Sequence, residues 1–456
     1  MEKSETILII GGGLCGSLLA LRLAQRGYQV EVYEGRPDLR KTDISAGRSI
    51  NLALSNRGLK SLRLAGVEEK AREICIPMCG RLMHDVEGNT FESNYSGREG
   101  EYINSISRGD LNGILLTEAE KYENVNIHFN VKCLDVDIEN KVATFESYET
   151  KEQFTINADV IFGTDGAGSS LRKSYEKQLE GFSVSQEFLT HGYKELEIPG
   201  IDGKHQISKD HLHIWPRGNY MLIALPNMDG SFTVTLFLSY SEGEYNFNNL
   251  TTKEKITEFF ERDFPDTLEL IPDILHEFEV NPTGKLGTVK CAPWAHKGNT
   301  LIMGDAAHAI VPFYGQGMNA SFEDVAELDA FIDQYEGDWE SIFSEFQRDR
   351  KKNADAIADL AIDNYYEMRD HVANPIFKEK RKIEMELEKT FPTQYSSKYS
   401  LVTFNEQLGY HEAMTKGRIQ DEILLKMIET GEISESTPKE KILEEVQSRS
   451  NEILNS

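Results

Sequence analysis

A strand, a glycine turn, a helix and a second strand ending on an acid, all within the first 34 residues, constrain this chain more than any other feature. Thr6–Ile10 is a short apolar run rich in β-branched residues, the pattern of a strand buried on both faces in a parallel sheet. Gly11, Gly13 and Gly16 follow at once with GxGxxG spacing, and Leu14, Leu18 and Leu21 then recur at helical steps until Gly27 closes the helix. Gln29–Glu34 reads as the second strand. Gly11 allows the tight turn, Gly13 lets backbone N–H groups approach a pyrophosphate, and Gly16 lets helix and strand pack closely. Leu14 and Cys15 fall in the first turn of the helix, where the amides supply positive potential. Glu34, eighteen residues after Gly16, stands where a carboxylate accepts hydrogen bonds from ribose hydroxyls and repels a 2′-phosphate. FAD or NAD is therefore expected in this pocket, and NADP is not.

Two later segments extend the pattern. Ala158–Gly163 is another buried strand, running into Asp165 and Gly166. Asn299–Gly304 is a third, ending at Asp305, where a carboxylate can hold a ribityl hydroxyl. Gly315, Gly317, Met318 and Asn319 precede a helix expected to start near Ala320, with Glu323 and Asp324 in its first turn. The N–H groups around Gly317 to Asn319 suit the pyrimidine edge of a flavin, where negative charge builds on reduction. Residues from about 185 to 270 alternate apolar and polar positions, the period of an antiparallel sheet covered on one face. From Asp338 onward the period is helical, and the charged run Lys378 to Lys389 reads as a solvated helix face with Ile383 and Leu387 turned inward.

The expected fold is α/β: a Rossmann-like FAD-binding domain with a parallel sheet (1–184 and 271–335), an antiparallel β-sheet substrate domain (185–270) and a C-terminal helical region (336–456). A net charge of −27 repels phosphate backbones and anionic lipid, which excludes nucleic acid and bare membrane as natural partners. The apolar stretch Thr6 to Leu23 is broken by glycines and contains Arg22, so it is read as neither a signal peptide nor a membrane span. The five cysteines are scattered, and Cys75 with Cys79 has no second pair at ligand spacing; a reducing compartment and no metal are expected.

Gly11–Gly16 with Glu34, then Asp165-Gly166, then Gly304-Asp305 with Gly315–Asn319, resemble the FAD-dependent aromatic hydroxylases, the single-component flavin monooxygenases of the para-hydroxybenzoate hydroxylase type. The resemblance extends through Pro77–Arg81, Ser105–Asn112, His213–Arg217, Met221–Asn227, Val311–Ala320, Asp363–Arg369 and Tyr399–Phe404. It implies one chain that keeps FAD bound, with Arg108 among the cofactor contacts, and takes NADPH and O2 as co-substrates. It also implies that the substrate is L-kynurenine, an anilino ketone carrying a free amino acid. Hydride would pass from NADPH to FAD, O2 would add to the reduced flavin at C4a, and the ring carbon ortho to the amino group would attack the distal oxygen. No general base is assigned, because the cofactor carries the hard chemistry.

Carried over residue by residue, the resemblance assigns the substrate carboxylate to Arg81, Tyr95, Asn364 and Tyr399, and the ring to Leu212, Met221, Ile223, Phe237, Pro312 and Phe313. Met221 and Ile223 alternate on one evident strand, with Phe237 on the next strand of a hairpin. A related hydroxylase acting on another anthranilate- or phenol-like carboxylated substrate is the alternative reading. Relatives with a membrane-anchoring tail contrast with the polar C-terminus here, so a cytoplasmic enzyme is expected, with a homodimer left open.

Overall fold

The computed structural model describes residues 4–41, 51–367 and 374–454. They form two compact units, one from the described residues within 4–75, 106–188 and 287–358, the other from those within 76–105, 189–286 and 359–454.

The first unit is built on a six-stranded sheet in the order Ala295–His296, Thr300–Ile302, Val160–Gly163, Thr6–Ile10, Gln29–Tyr33, Val125–His128. All neighbours are parallel except the two-residue edge strand. Parallel strands joined through crossovers are covered on both faces, and Ile7, Leu8 and Ile9 are accordingly wholly buried. The helix Leu14–Gln25 packs with Arg108–Ala119 and Gly317–Gln334. Gly317–Gln334 begins three residues before the expected Ala320, so Glu323 and Asp324 lie in its second turn rather than its first. The turn Pro312–Tyr314 and the left-handed Gly315 already deliver the chain into helical geometry there.

In the second unit the strands run in the order Ser183–Ile198 (its part from 189), Phe232–Ser239, Met221–Pro226, His211–Pro216, Gly80–His84, Thr90–Asn94. Alternation divides the sheet into two faces. Leu196, Trp215, Leu222, Ala224, Val234 and Leu236 pack on one side in a core with Phe259, Phe260, Ile274 and Phe278. Those last four come from the helices Lys253–Asp263 and Ile274–Val280, so the chain after Ser239 turns helical to cover the sheet instead of adding strands.

A helical group, Pro375–Thr390, Lys398–Thr403, Tyr410–Glu429 and Lys439–Leu454, has its own core of Ile383, Leu387, Leu424, Met427, Ile442 and Val446. Ile383 and Leu387 point inward as expected, and Lys378, Lys382, Glu386 and Lys389 are exposed on the solvated side, but three charged residues of the run are not. Lys380, Glu384 and Glu388 are buried, with Lys380 Nζ 2.7 Å and Lys398 Nζ 2.6 Å from the two oxygens of Asp421. Among the described residues no helix is long and apolar enough to cross a membrane.

Candidate functional site

Gly11, Glu34, Thr164-Asp165 and Gly304-Asp305 each follow the carboxyl end of a strand, and these four strands are parallel neighbours. Their ends therefore share one edge of the sheet. Consecutive strands depart to opposite sides of Thr6–Ile10, and such a switch point opens a crevice at that edge.

The glycines are needed by contact as well as by conformation. Gly11 has φ +99°, and a Cβ there would sit 2.7 Å from the Asp165 Cα and the Thr164 carbonyl oxygen. A Cβ on Gly16 would lie 1.9 Å from the Gly11 carbonyl oxygen. The Thr164 hydroxyl donates to that same carbonyl at 2.8 Å. The third segment closes on the first, since a Cβ on Gly304 would be 3.2 Å from Cys15.

The helix Leu14–Gln25 begins at Gly13 with no side-chain cap and no acid in its first turn, so its leading amides are left for an anion. The helix Gly317–Gln334 likewise starts uncapped. Asp165 accepts from the Ser170 amide through Oδ2 at 2.6 Å, while no donor among the described residues reaches its buried Oδ1. Burial raises the carboxyl above its ordinary range against the pull of Ser169 and Ser170. A buried acceptor awaiting a donor, beside a turn that no side chain can fill, fits the hydroxyls and pyrophosphate of FAD.

Glu34 is partly committed within the protein. Its Oε2 accepts from the Gly12 amide at 2.8 Å and its Oε1 from the backbone and side chain of Arg36, each at 2.9 Å. Arg108 is exposed at the start of its helix. One turn later, Asn112 donates to the Gly12 carbonyl at 3.0 Å, a buttress that sequence reasoning did not single out. Asn319 spends its side chain on backbone: Oδ1 accepts from Ser55 and Nδ2 donates to Ala53 and Gly315. Only its main chain is left for a cofactor. Met318, Pro312 and Phe313 belong to the same unit, Pro312 exposed and Phe313 buried.

Beneath this edge lies an ionic cluster that sequence reasoning missed, because its members are far apart in the chain. Asp324 accepts from the Gly304 amide (2.9 Å), His308 Nε2 (2.6 Å) and Arg350 Nε (2.9 Å). Glu323 bridges Arg57 and Arg350 at 2.7 Å each. Burial penalises the Asp324 charge, but His308 and Arg350 outweigh it and hold the carboxyl below its ordinary range. His308 is thus a structural histidine, and Cys15 is an inert thiol pushed well up by burial, Asp324 and Asp305.

In the second unit Arg81, Leu212, Ile214, Met221, Ile223 and Phe237 share the sheet face opposite the helical cover. Arg81 pairs with Leu212, Ile214 with Ile223, and Met221 with Phe237. Arg81 stands at one end of that face, with its guanidinium carbon 5.6 Å from the ring of Tyr95 and 5.2 Å from that of Tyr399. The two phenol rings are stacked, 5.2 Å apart and 10° from parallel. Burial and then Tyr399 push the Tyr95 phenol well up, and burial raises Tyr399, so both remain neutral donors. Arg81 opposes both shifts.

Toward the other end, a small cavity is lined by Met221 and Phe237 together with His191, Tyr220 and Tyr365. Tyr365 and His191 were not anticipated; the adjacent Asn364 is buried near the end of the helix Trp339–Tyr366. Met368 and Arg369, which end that motif, lie outside the described residues. Among the described residues no group of three or more His, Cys, Asp or Glu could hold a metal ion.

The family model for the FAD binding domain matches residues 4–361. A kynurenine 3-monooxygenase of Myxococcus xanthus is 46% identical over 438 residues, 96% of this chain and 92% of the relative. That of Flavobacterium johnsoniae is 45% identical over 98% of this chain and 100% of its own. That of Dictyostelium discoideum is 44% identical over 93% of each. Among solved structures, 2-methyl-3-hydroxypyridine-5-carboxylic acid oxygenase superposes with a TM-score of 0.65 at 19% identity, covering 84% of this chain and 98% of that one. The p-nitrophenol 4-monooxygenase of Pseudomonas putida does so with 0.64 at 17%, covering 83% and 92%. At these identities the structures speak for the fold.

Proposed function

The chain belongs to the kynurenine 3-monooxygenase family of FAD-binding proteins, and from that premise we infer that it hydroxylates L-kynurenine to 3-hydroxykynurenine with NADPH and O2. FAD, when bound, supplies acceptance of the hydride and activation of oxygen. The turn Gly11–Gly16, with the amides of Leu14 and Cys15, takes its pyrophosphate; Glu34 and Arg108 serve its adenosine half, Asp165 and Asp305 its polyol, and the Gly317–Asn319 main chain its ring.

The observation that carries the substrate assignment is the guanidinium of Arg81 set over two stacked, neutral phenols at one end of an apolar sheet face. A planar cation flanked by phenol donors grips a carboxylate and discriminates against a substrate lacking one. Leu212, Met221, Ile223 and Phe237 then present apolar surface to the aryl ring, which keeps water from the reacting carbon. The resemblance assigns Asn364 to the carboxylate as well, whereas its neighbour Tyr365 lines the cavity toward the opposite end of this face. No base is required, since the ring's own amino group activates the carbon to be hydroxylated. Scattered cysteines, three of them buried, accord with a reducing cytoplasm.

The test follows NADPH oxidation by the purified yellow protein with and without L-kynurenine and analyses the product. Stimulation by L-kynurenine with 3-hydroxykynurenine formed is expected. No stimulation, or stimulation with peroxide as the sole oxygen product, overturns the reading.

A further inference from the structure

Tyr95 and Tyr399 are 304 positions apart in the chain, and one side chain brings them together. Glu388, on the helix Pro375–Thr390, is wholly buried. Its Oε2 accepts from the Gly97 amide at 2.9 Å and the Ser96 hydroxyl at 3.2 Å, and its Oε1 accepts from the Ser397 amide at 2.8 Å. Gly97 lies two residues after Tyr95. Ser397 lies two before Tyr399 and caps its helix, its hydroxyl accepting from the Ser400 amide.

Neighbouring contacts draw the same segments together. Arg381, two helical turns before Glu388, donates to the carbonyls of Asn94 and Tyr95 at 2.8 and 2.7 Å. Arg98 reaches the Pro392 and Tyr395 carbonyls at 3.0 and 2.6 Å. Gly97 sits so close to the helix that a Cβ would fall 2.1 Å from the Met385 carbonyl oxygen. The Gly97 and Ser397 amides and the Ser96 hydroxyl converge on Glu388 from two segments, with the Arg98 guanidinium 3.7 Å from its Oε1. Only an acceptor-only group can serve all three, and an amide of the same shape would turn donor against donor at one of them.

We propose that Glu388 is a positioning residue for the amino-acid end of the substrate: it fixes the Tyr95 loop and the Tyr399 helix in the register at which both phenols meet Arg81. The inference rests on the reading that Arg81 holds the substrate carboxylate.

The test compares wild type, Glu388→Gln, Glu388→Asp, Arg81→Met and the double variant Arg81→Met/Glu388→Gln, each as FAD-loaded full-length enzyme. L-kynurenine and its decarboxylated amine serve as alternative substrates. Glu388→Gln is expected to raise KM for L-kynurenine about 10- to 100-fold. KM for NADPH, flavin content and use of the decarboxylated amine should hardly change. Glu388→Asp, which keeps two acceptor oxygens, should recover part of the loss. The double variant should bind L-kynurenine no worse than Arg81→Met alone.

Unchanged KM in Glu388→Gln, equal losses on both substrates, or losses that multiply with those of Arg81→Met would overturn the proposal. An unaltered KM in Arg81→Met would instead remove the carboxylate site itself, a separate outcome. If Glu388→Gln does not fold, Ser96→Ala decides: removing one donor should raise KM about two- to fivefold for L-kynurenine alone, and no change overturns the proposal.

Discussion

Replacing Asp324 by asparagine tests whether the ionic cluster sets the geometry of the Gly304-Asp305 turn. The carboxylate accepts three hydrogen bonds, from the Gly304 amide, His308 and Arg350. An asparagine has one oxygen to offer. With that oxygen toward Gly304 and His308, its NH2 meets the Nε–H of Arg350; flipped, it meets the other two donors. The charge balance fails as well, because Arg57 and Arg350 face Glu323 and Asp324 in a place where none of the four exceeds 4% exposure. Removing one partner from a buried ion pair costs about 3–5 kcal/mol, and the single retained acceptor argues for the lower end. At about 3 kcal/mol per molar urea, the upper end for small proteins, the first unfolding transition should fall by roughly 1 M. Trp294, whose ring centroid is 5.2 Å from that of His308, offers a local fluorescence probe, and flavin release reports the same turn. The deficit should also depend on pH with a definite sign. His308 and Arg350 hold the Asp324 carboxyl below its ordinary value despite burial, so its stabilisation is present above the unfolded carboxylate pKa and is lost as pH falls. The gap between wild type and variant should narrow below about pH 4. A variant with the wild-type urea midpoint and flavin content at neutral pH would refute the reasoning.

Two further outcomes follow from the same geometry. Gly16→Ala forces a Cβ to within 1.9 Å of the Gly11 carbonyl oxygen, so the protein should be isolated folded but colourless; retained flavin absorbance per chain would show that the turn yields. Glu277 is raised to about 7 by burial, even though it accepts from the Glu197 amide. Its ionisation above the unfolded carboxylate pKa therefore costs stability, which falls as pH rises toward 7. Glu277→Gln, keeping an acceptor for that amide, should stabilise the protein at pH 8 by about 1 kcal/mol once screening at a half-exposed site is allowed for, with no gain at pH 4.

What the sequence disclosed and what it hid divide along a physical line. The glycine turn was legible because every part of it is local: five apolar residues make the strand, Gly11 and Gly16 leave no room for a side chain, and the acid follows at the end of the next strand. The shared sheet face of Met221, Ile223 and Phe237 was legible for a similar reason, since period-two alternation puts Met221 and Ile223 on one side and a hairpin sets Phe237 opposite Met221. Asn112 and the side chain of Asn319 were not, because an amide that bonds to a carbonyl in another segment leaves no pattern in its own. Arg57 and Arg350 were hidden likewise, since only the fold places Glu323 between them.

The run Lys378 to Lys389 marks the limit most clearly. Charge periodicity on a helix states which residues share a side, and Ile383 with Leu387 identified the inward stripe correctly. It does not state whether the charges beside that stripe meet water or countercharges. Lys378, Lys382, Glu386 and Lys389 meet water, whereas Lys380 and Glu388 are met by protein: Asp421 arrives from one helix, the Ser397 amide from the start of another, and the Gly97 amide from a loop nearly 300 residues earlier. Desolvating Glu388 is tolerable only because all its donors are supplied, so the loop and the helix can hardly move independently without stranding a buried charge. The buried side of a helix read from its solvated face thereby holds two tyrosines around an arginine. The substrate preference of this chain is accordingly expected to respond to residues whose side chains never reach the substrate.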